Sequence, residues 1–460
     1  MILENRMWEE LQPGMKAELK RLCTADDFYV FAAASGNYNP VHLEEEDGDG
    51  DGQKEAYAPG MFVASLITAV LGNVLPGPGT LYRSQTLEFV QRANAGEELC
   101  ARVEVLEKLV GGIVRMKTEV VRCSDEALIV TGEAEVIAPQ KHMRFNALEA
   151  PGLISQRHRH FHILLERAQA LPALATAVVC PEKGHALDGA LISAEQGIIK
   201  PLLIGDPAQI AAAAEEIGKD LSGYEILPAL THRDAARLAV QLVNEGRAEC
   251  IMKGHLHTDD LLKPMLDKQT GLRIGRRFTH VFVMDVPGVA HPMIVTDAAI
   301  NIAPDLETKV DIVQNAIDVA ISIGIAEPKV GVLSAVETVN PAIPSSLDAA
   351  LLSKMAERGQ IKGGFVDGPL AMDNAVDNGA ARTKGLRSAV AGHAEVLVAP
   401  GIDAANMLAK QLAYISHAEG AGLVLGARVP VVLNSRSDSS MARLASAAVA
   451  SIHQNRCRRG

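Results

Sequence analysis

Apolar and polar positions divide the chain into two regions with different patterns. In the first region one apolar segment, 61–75, predicts a helix. The segments after it carry β-branched residues in partial alternation and are bounded by Gly, Asn, Ser and Asp, a pattern that predicts strands. A central helix followed by an antiparallel sheet of about four or five strands indicates a small α+β domain. The predicted strands cover residues 80–90, 98–110, 112–123 and 127–138.

From His160 onward the pattern changes to short continuous apolar runs that end in Gly, Pro, Asp or Ser, with Ala- and Leu-rich stretches between most of them. Such runs are typical of buried parallel strands joined by βαβ connections, and the length of the region favours two α/β lobes with a cleft between them. Because ligands of such sheets lie beyond the carboxyl ends of the strands, polar residues there are the candidates for chemistry. The runs cover residues 174–182, 200–207, 250–254, 279–287, 329–335, 360–369, 394–401 and 429–435.

No sustained period is present between residues 138 and 159, which predicts a linker. The sequence therefore predicts a first domain at 1–137, a linker at 138–157 and a two-lobed second domain at 158–460.

Composition narrows the function. A hydrophobic content of 48% and a charged content of 22% are those of a globular protein. The formal net charge of −12 and the aromatic content of 3% argue against a nucleic-acid partner. The six cysteines form no CxxC pair, which argues against a zinc or redox motif. The N-terminal segment has no apolar signal-peptide core. The longest apolar run is shorter than the ~20 residues of a membrane span. These features predict a cytoplasmic protein with free thiols and no membrane partner.

The first region has one informative motif. Segment 35–44, with Asn37, Pro40 and His42, resembles the Gly-Asp-x-Asn-Pro-x-His motif of MaoC-like hotdog hydratases, and the resemblance extends over roughly residues 10–137. It implies an α+β hotdog fold in which an Asp and a His activate water for addition to an enoyl-CoA. Here His42 matches, but the Asp position holds Asn37, and an amide cannot act as a base. Three interpretations stay open: a hydratase of reduced or altered activity, a non-catalytic acyl-CoA-binding and dimerising module, or a simple tight turn.

Two acidic or histidine-rich segments could suggest a metal. Segment 47–52 has the spacing that opens an EF-hand loop, but its twelfth position is Ala58, so we interpret it as a solvated acidic loop. Segment 255–260 has two histidines and two aspartates, which we interpret as a loop and helix start capped by Thr258 or Asp259. The sequence thus predicts no metal and no tightly bound cofactor.

Five segments of the second region are similar to phosphate acetyl/butyryltransferases, which share the two-lobed fold of isocitrate dehydrogenase. They occur in the family's order over about residues 158–455, and the order of the two domains resembles that of bifunctional enoyl-CoA hydratase/phosphate acetyltransferases. The segments are 252–260, 295–305, 366–370, 406–410 and 430–439.

This resemblance implies an acetyl- or butyryl-transfer reaction between coenzyme A and phosphate, with CoA as a substrate. Such chemistry needs a base to form the thiolate, a cationic fork for phosphate and donors for the oxyanion. The resemblance assigns acyl or phosphoryl orientation to Ser435, phosphate binding to Arg436 and the base to Asp438. In the family the base lies further along, where this chain has Ala442. The competing interpretation of the Ser-Arg pair is a helix N-cap with a surface arginine.

The same segments supply predicted substrate-binding residues, and hotdog domains generally pair, which predicts a homodimer or a higher homo-oligomer. A metal-dependent decarboxylating dehydrogenase of the same fold is the alternative for the second domain, but the sequence shows neither the carboxylate cluster nor the cofactor loop it needs. The predicted substrate-binding residues are Lys253, Thr296, Asp297, Asn301 and Asn406.

Overall fold

The computed structural model of the chain describes residues 2–43, 56–146, 158–435 and 438–458. The chain forms two compact units, Met1–Ser155 and Gln156–Gly460, hereafter unit 1 and unit 2. The acidic segment 47–52 lies outside the described residues, so its interpretation as a solvated loop stays a prediction.

Unit 1 contains an antiparallel sheet in the order β2-β5-β6-β7-β3, with β4 also paired to β7. Two short 3₁₀ helices, Trp8–Glu10 and Pro40–His42, accompany the longer elements. The elements are β1 Ile2–Glu4, β2 Lys16–Leu22, α1 Ala25–Ser35, α2 Gly60–Asn73, β3 Leu81–Gln85, β4 Glu88–Phe89, β5 Glu98–Leu109, β6 Ile113–Arg122, β7 Leu128–Ile137 and β8 Arg144–Asn146.

The core of unit 1 is the interface between α2 and the sheet. Ile67 and Val70 of α2 are completely buried, in one cluster with Leu99 of β5 and Val120 of β6. Each such side chain contributes about 1.5–3 kcal/mol through its removal from water. The helix and the antiparallel sheet form the α+β domain that the apolar segment and the alternating runs predicted, and they agree with the hotdog fold that the family resemblance implied.

Several elements of unit 1 were not predicted, among them β1, β2, α1 and β8. Thr24 caps α1 through its Oγ1, which accepts a hydrogen bond from Asp27 N (3.3 Å), and the Asp27 carboxylate accepts one from Thr24 N (2.9 Å). This reciprocal cap is a sequence signal that could have located the helix. Strand β8, inside the predicted linker, pairs with β1 from the other end of the unit, and so short a strand shows no period.

Unit 2 is built on one sheet of 11 strands in the order β11-β10-β9-β12-β19-β18-β13-β14-β17-β15-β16. No described helix is long and apolar enough to cross a membrane. The elements are α3 Arg159–Gln169, β9 Leu174–Val179, α4 Gly184–Glu195, β10 Ile199–Gly205, α5 Pro207–Ile217, β11 Glu225–Pro228, α6 His232–Asn244, β12 Cys250–Lys253, α7 Thr258–Met265, β13 Thr279–Asp285, β14 Met293–Thr296, α8 Leu306–Ile323, β15 Lys329–Leu333, α9 Pro344–Glu357, β16 Phe365–Leu370, α10 Met372–Val376, α11 Asn378–Thr383, β17 Val396–Val398, α12 Ile402–Tyr414, β18 Glu419–Leu425, β19 Val431–Val432 and α13 Ser440–Cys457.

The centre of this sheet differs from the prediction of parallel strands. β13 pairs antiparallel with both β14 and β18, and β18 pairs antiparallel with β19. The flanking arms are parallel, as predicted: β11, β10, β9, β12 and β19 on one side, and β14, β17, β15 and β16 on the other. A run that is buried on both faces has the same apolar composition in either direction, so the sequence pattern could not reveal the reversal.

Candidate active site

A cleft of about 680 Å³ opens at the middle of the sheet of unit 2. β12 and β19 are parallel neighbours, so Lys253 at the end of β12 and Ser435 just past β19 reach the same edge. Of the predicted residues, Lys253, Ser435 and Asn406 line this cleft. Its lining is formed by Lys253, Leu256, His257, Thr258, Asp259, Asp260, Lys263, His280, Phe282, Ala298, Ala299, Asn406, Lys410, Leu433, Asn434 and Ser435.

Asp438 shapes the turn that carries Ser435. Its Oδ2 accepts hydrogen bonds from Ser435 N (2.8 Å) and from Asn434 Nδ2 (3.3 Å). Ser435 O in turn accepts a hydrogen bond from Asp438 N (3.2 Å). The carboxylate and the serine that the sequence grouped together are therefore brought into direct contact. Arg436 lies outside the described residues, and its predicted phosphate contact stays a prediction.

The following helix rules out the N-cap interpretation of Ser435. Helix α13 begins at Ser440, and its N-cap is Ser439, whose side chain accepts a hydrogen bond from Ala442 N (3.0 Å). Ala442, at the family's usual position of the base, is a buried residue of the first turn.

The cap predicted for helix α7, at Thr258 or Asp259, is wrong. α7 is preceded by His257 as its N-cap residue, and Thr258 and Asp259 lie in its first turn.

Arg443 is a supporting residue that the sequence analysis missed. It is 1% exposed and donates hydrogen bonds to Lys253 O (3.3 Å) and Ser435 O (3.0 Å), so it joins the two strand ends of the cleft. Burial lowers the pKa of Arg443, against the opposing effect of the Asp438 carboxylate. Gly189 makes room for it, since a Cβ there would lie 2.6 Å from Arg443 Cδ. An arginine within a long Ala/Ser stretch was the available signal.

Asp297 organises the turn on the opposite wall of the cleft. Its Oδ1 accepts two backbone amides of the following residues (3.0 and 2.9 Å), and its Oδ2 accepts His280 N (3.1 Å) and Asn301 Nδ2 (2.6 Å). Thr296 donates from Oγ1 to His280 O (2.7 Å). These contacts hold the turn after β14, and Ala298 of that turn lines the cleft. Thr296, Asp297 and Asn301 are thus placed beneath the cleft wall, and direct substrate contact by them stays a prediction.

His280 contributes a neutral ring to the wall of the cleft. It is completely buried and packs edge-on against Phe282, with ring centroids 4.5 Å apart. Burial lowers the pKa of His280, and the Asp297 and Asp438 carboxylates oppose this effect. The imidazole is therefore uncharged near neutral pH.

Three lysines from different elements line the cleft. Lys253 ends β12, Lys263 lies on α7 and Lys410 lies on α12. Asp259 and Asp260 of α7 are also in the lining. Asn406, one turn before Lys410, donates from Nδ2 to Ala298 O (3.2 Å) and so ties α12 to the turn. Lys263 and Lys410 were not predicted as site residues because helical surface lysines have no distinguishing sequence signal. With three lysines against two aspartates, the charged side chains of the lining favour an anionic ligand despite the negative net charge of the chain.

A smaller cavity of about 200 Å³ shares Phe282 and Lys410 with the cleft. Most of its wall is apolar, and Asp438 is one of its few charged residues. Its lining is formed by Phe282, Met284, Ala409, Lys410, Ala413, Tyr414, Ala418, Glu419, Gly420, Asp438, Ser439 and Ala442.

In unit 1 the two motif residues lie next to α1, but they differ in how they are held. His42 Nδ1 lies 2.7 Å from Tyr57 O, which can only accept, so Nδ1 carries the proton and Nε2 of the neutral ring has a free lone pair. Asn37 is exposed, and its Oδ1 accepts a hydrogen bond from Asn39 N (3.3 Å). The geometry orients one potential base, His42, and an amide that has no basicity.

The arrangement in unit 2 can bind a phosphate-bearing ligand between lysines and present it to a serine and a carboxylate beside an apolar cavity. Comparisons with known proteins show the family to which this unit belongs. Residues 229–451 match the family model "Phosphate acetyl/butaryl transferase", and residues 9–126 match "MaoC like domain". The chain belongs to the phosphate acetyl/butyryltransferase family through unit 2, and it carries a MaoC-like domain in unit 1.

Individual relatives agree with this assignment. A phosphate acetyltransferase of Rhizobium meliloti is 54% identical over 295 residues, which are 64% of this chain and 93% of the relative. A phosphate butyryltransferase of Clostridium beijerinckii is 40% identical over 294 residues, 64% of this chain and 97% of the relative. The crystal structure of a branched-chain phosphotransacylase from Enterococcus faecalis V583 superposes with a TM-score of 0.54 at 30% identity, covering 61% of this chain and 99% of that one. The decarboxylating dehydrogenase is not favoured by these relatives.

Proposed function

We propose that unit 2 transfers an acyl group between coenzyme A and inorganic phosphate, with acetyl-CoA or butyryl-CoA as the acyl donor. The observation that carries this proposal is the cleft whose lining brings three lysines together with Ser435, while Asp438, which bonds to Ser435 N, lines an adjoining apolar cavity. In one direction the CoA sulfur attacks the carbonyl carbon of an acyl phosphate. The C–S bond forms, the bond from that carbon to the phosphate oxygen breaks, and phosphate leaves with the electron pair. The reverse direction consumes acyl-CoA and phosphate.

Asp438 takes the thiol proton in this scheme. Asp438 lines the apolar cavity, and its Oδ2 already accepts hydrogen bonds from Ser435 N and Asn434 Nδ2, which fix its orientation. Ser435 orients the acyl or phosphoryl group with its hydroxyl, and Arg436 supplies the fork for two phosphate oxygens. Lys253 and Lys410 add positive charge for the phosphates of the two substrates.

The remaining predicted residues act mainly through the shape of the cleft. Asp297, with Thr296 and Asn301, holds the turn after β14, and Asn406 ties α12 to that turn through Ala298 O. Since Asn406 also lines the cleft, it is the member of this group that we expect to contact CoA.

The apolar cavity beside Asp438 accommodates the acyl chain. Its volume of about 200 Å³ suits a short chain, and its apolar wall favours burial of methylene groups over water. Because the cavity adjoins the proposed base, we expect the thioester carbonyl at its mouth, between the cavity and the lysine-lined cleft.

Unit 1 binds acyl-CoA and hydrates enoyl-CoA slowly, with His42 Nε2 as the base. The orientation of His42 by Tyr57 O favours this role, and Asn37 removes the second proton acceptor of the motif. Hydration of crotonyl-CoA by the whole chain, lost in His42→Ala, is the expected result. A chain that binds crotonyl-CoA without hydrating it would instead make unit 1 a binding module.

Three broader features belong to the same proposal. The sheet of unit 2 is of the isocitrate dehydrogenase-like type, and the functional domains are 1–137 and 158–460. All six cysteines are free thiols, which fits the cytoplasm. The chain is a homo-oligomer, because hotdog domains generally pair and because Leu81 and Phe89 of the β3–β4 region are 63% and 50% exposed.

The experiment for unit 2 is a panel of acyl-CoAs incubated with phosphate and a thiol reagent. We expect release of CoA that requires phosphate and is fastest with short acyl chains. Control reactions without phosphate measure the rate of simple thioester hydrolysis. CoA release that is independent of phosphate for every acyl chain would contradict the proposal.

A further inference from the structure

Three side chains with different ligand atoms converge outside the cleft, in the segments that follow β9 and β11. The Cys180 thiol, the Glu182 carboxylate and the His232 imidazole all lie within 4.8 Å of one another. Cys180 and Glu182 follow β9, and His232 is the first residue of α6. The cluster thus joins two turns that are about fifty residues apart in the sequence.

The cluster has a buried side and an open side. Cys180 is 1% and Glu182 7% exposed, whereas the His232 side chain is 44% exposed. His232 Nε2 lies 3.6 Å from Glu182 Oε2, and the other carboxylate oxygen, Oε1, accepts a hydrogen bond from Asp206 N (3.0 Å). The inner pair is therefore held by the protein, and the side next to His232 is accessible to solvent.

The backbone around the cluster is specialised for this arrangement. Cys180 has a φ of 53°, in the left-handed region that a residue with a Cβ rarely adopts. Gly205 is also required, because a Cβ at that position would lie 2.7 Å from Glu182 Oε1. Cys180 O accepts a hydrogen bond from His255 N (2.7 Å), within the segment that follows Lys253.

We propose that Cys180, Glu182 and His232 bind a Zn²⁺ ion, with water at the open fourth position. A thiolate, an imidazole nitrogen and a carboxylate oxygen are the donor types that Zn²⁺ takes in proteins, and three protein ligands with one open position is a common arrangement. Asp206 N fixes the Glu182 carboxylate from behind, as outer hydrogen bonds do in metal sites. The ion ties the turn after β9 to the start of α6.

The simpler role of the cluster is an ion pair between Glu182 and His232, with Cys180 as a buried thiol. The two roles differ in one respect that can be measured. Metal binding requires the sulfur as a ligand, whereas the ion pair does not involve it.

The test uses the full chain, purified with chelator and then titrated with Zn²⁺ by calorimetry or with Co²⁺ by absorption. We expect about one Zn²⁺ per chain, and a thiolate-to-cobalt charge-transfer band in the near ultraviolet. Cys180→Ala should abolish that band and weaken Zn²⁺ binding by at least about tenfold, and His232→Ala should weaken Zn²⁺ binding similarly.

Matched controls are Cys250→Ala, a buried thiol on the adjacent strand β12, and His185→Ala, an exposed histidine on α4. Both should bind Zn²⁺ as the unaltered chain does, and circular dichroism without metal verifies that every variant is folded. The proposal is overturned if the unaltered chain shows no saturable binding, or if Cys180→Ala and His232→Ala bind Zn²⁺ unchanged. A loss of stability in metal-free His232→Ala together with no Zn²⁺ binding by the unaltered chain would establish the ion pair instead.

Discussion

The candidate sites of the two units are built in opposite ways. In unit 1, Asn37 and His42 come from one short segment. Among the described residues, the hydrogen bond that orients the His42 imidazole is made to one backbone carbonyl, Tyr57 O. In unit 2, the cleft is assembled from strand ends far apart in the chain, and buried groups such as Arg443 and Asp297 hold it from behind. A local site can lose its chemistry by one substitution without any effect on folding. A site assembled from distant elements couples its chemistry to the packing of the sheet.

The strongest test of this comparison is Asp438→Asn in unit 2. The amide oxygen can still accept the hydrogen bond from Ser435 N, so the turn should stay intact while the base is lost. We expect kcat for acyl transfer to fall about 10²–10⁴-fold, with little change in urea-induced unfolding. Asp438→Ala, which loses both roles, is the control for the turn. An Asp438→Asn chain with an unaltered kcat would assign the thiol base to another residue.

Arg436 tests whether phosphate is held by a fork or by charge alone. Arg436→Ala should reduce kcat/KM for phosphate by a factor of roughly 30 to 1,000, as expected for the loss of one strong charge-assisted contact worth about 2–4 kcal/mol. Arg436→Lys should lose much of the rate although it keeps the charge, because an ammonium group offers no fork. A rise in KM for phosphate indicates ground-state binding, and a fall in kcat indicates action in the transition state. Unaltered turnover of Arg436→Ala at subsaturating phosphate would remove the residue from the mechanism.

Arg443 tests the coupling between packing and chemistry. Arg443→Ala leaves the carbonyls of Lys253 and Ser435 without this donor in a buried site, which should lower the free energy of unfolding by about 2–4 kcal/mol and reduce acyl transfer as well. Arg428→Ala removes an exposed arginine that bonds to Asn244 and should change neither quantity measurably. Stability and transfer rate that both remain unaltered in Arg443→Ala would contradict a supporting role.

Asn37→Asp tests the local site of unit 1. Restoring a carboxylate beside His42 should raise crotonyl-CoA hydration by about 10–100-fold, because a positioned base contributes ~10²–10⁴-fold and His42 already supplies part of it. Stability should change little, since residue 37 is exposed. His42→Ala in the Asn37→Asp background is the control. No gain of hydration in a well-folded Asn37→Asp chain would mean that unit 1 lacks more than the carboxylate.

The smallest effect concerns the acyl cavity. A Cβ at Gly420 would lie 3.1 Å from Met284 Sδ and would take space from the cavity wall. Gly420→Ala should therefore lower the ratio of kcat/KM for butyryl-CoA to that for acetyl-CoA by about tenfold, because the fit of one methylene is worth ~1–3 kcal/mol. Gly223→Ala, a glycine whose added Cβ meets no atom within 4 Å, is the matched control. An unaltered ratio would place the acyl chain elsewhere.

Many elements of the fold could be predicted from the sequence, because the period of apolar residues depends on which faces of a helix or strand are buried. The helix near residues 61–75, the strands β3 to β7 of unit 1 and eight of the 11 strands of unit 2 were located to within a few residues, whereas β11, β14 and β18 were not predicted. Strand direction was not, because a run such as β13 is apolar whichever way it lies in the sheet. Short elements such as β8 were not predicted either, since three residues are too few to define a period.

The sequence by itself determined which residue types are available for the proposed chemistry. A motif with Asn37 and His42, a Ser-Arg pair followed by Asp438, and polar residues at strand ends are properties of residue identity and spacing. The tertiary structure alone decided which of these side chains meet. It brought Lys253 and Ser435 to one edge through the pairing of β12 with β19, and buried Arg443 behind both. It placed Thr296, Asp297 and Asn301 under the wall of the cleft. It also gathered Cys180, Glu182 and His232, because contacts between distant segments depend on strand order, which no local pattern records.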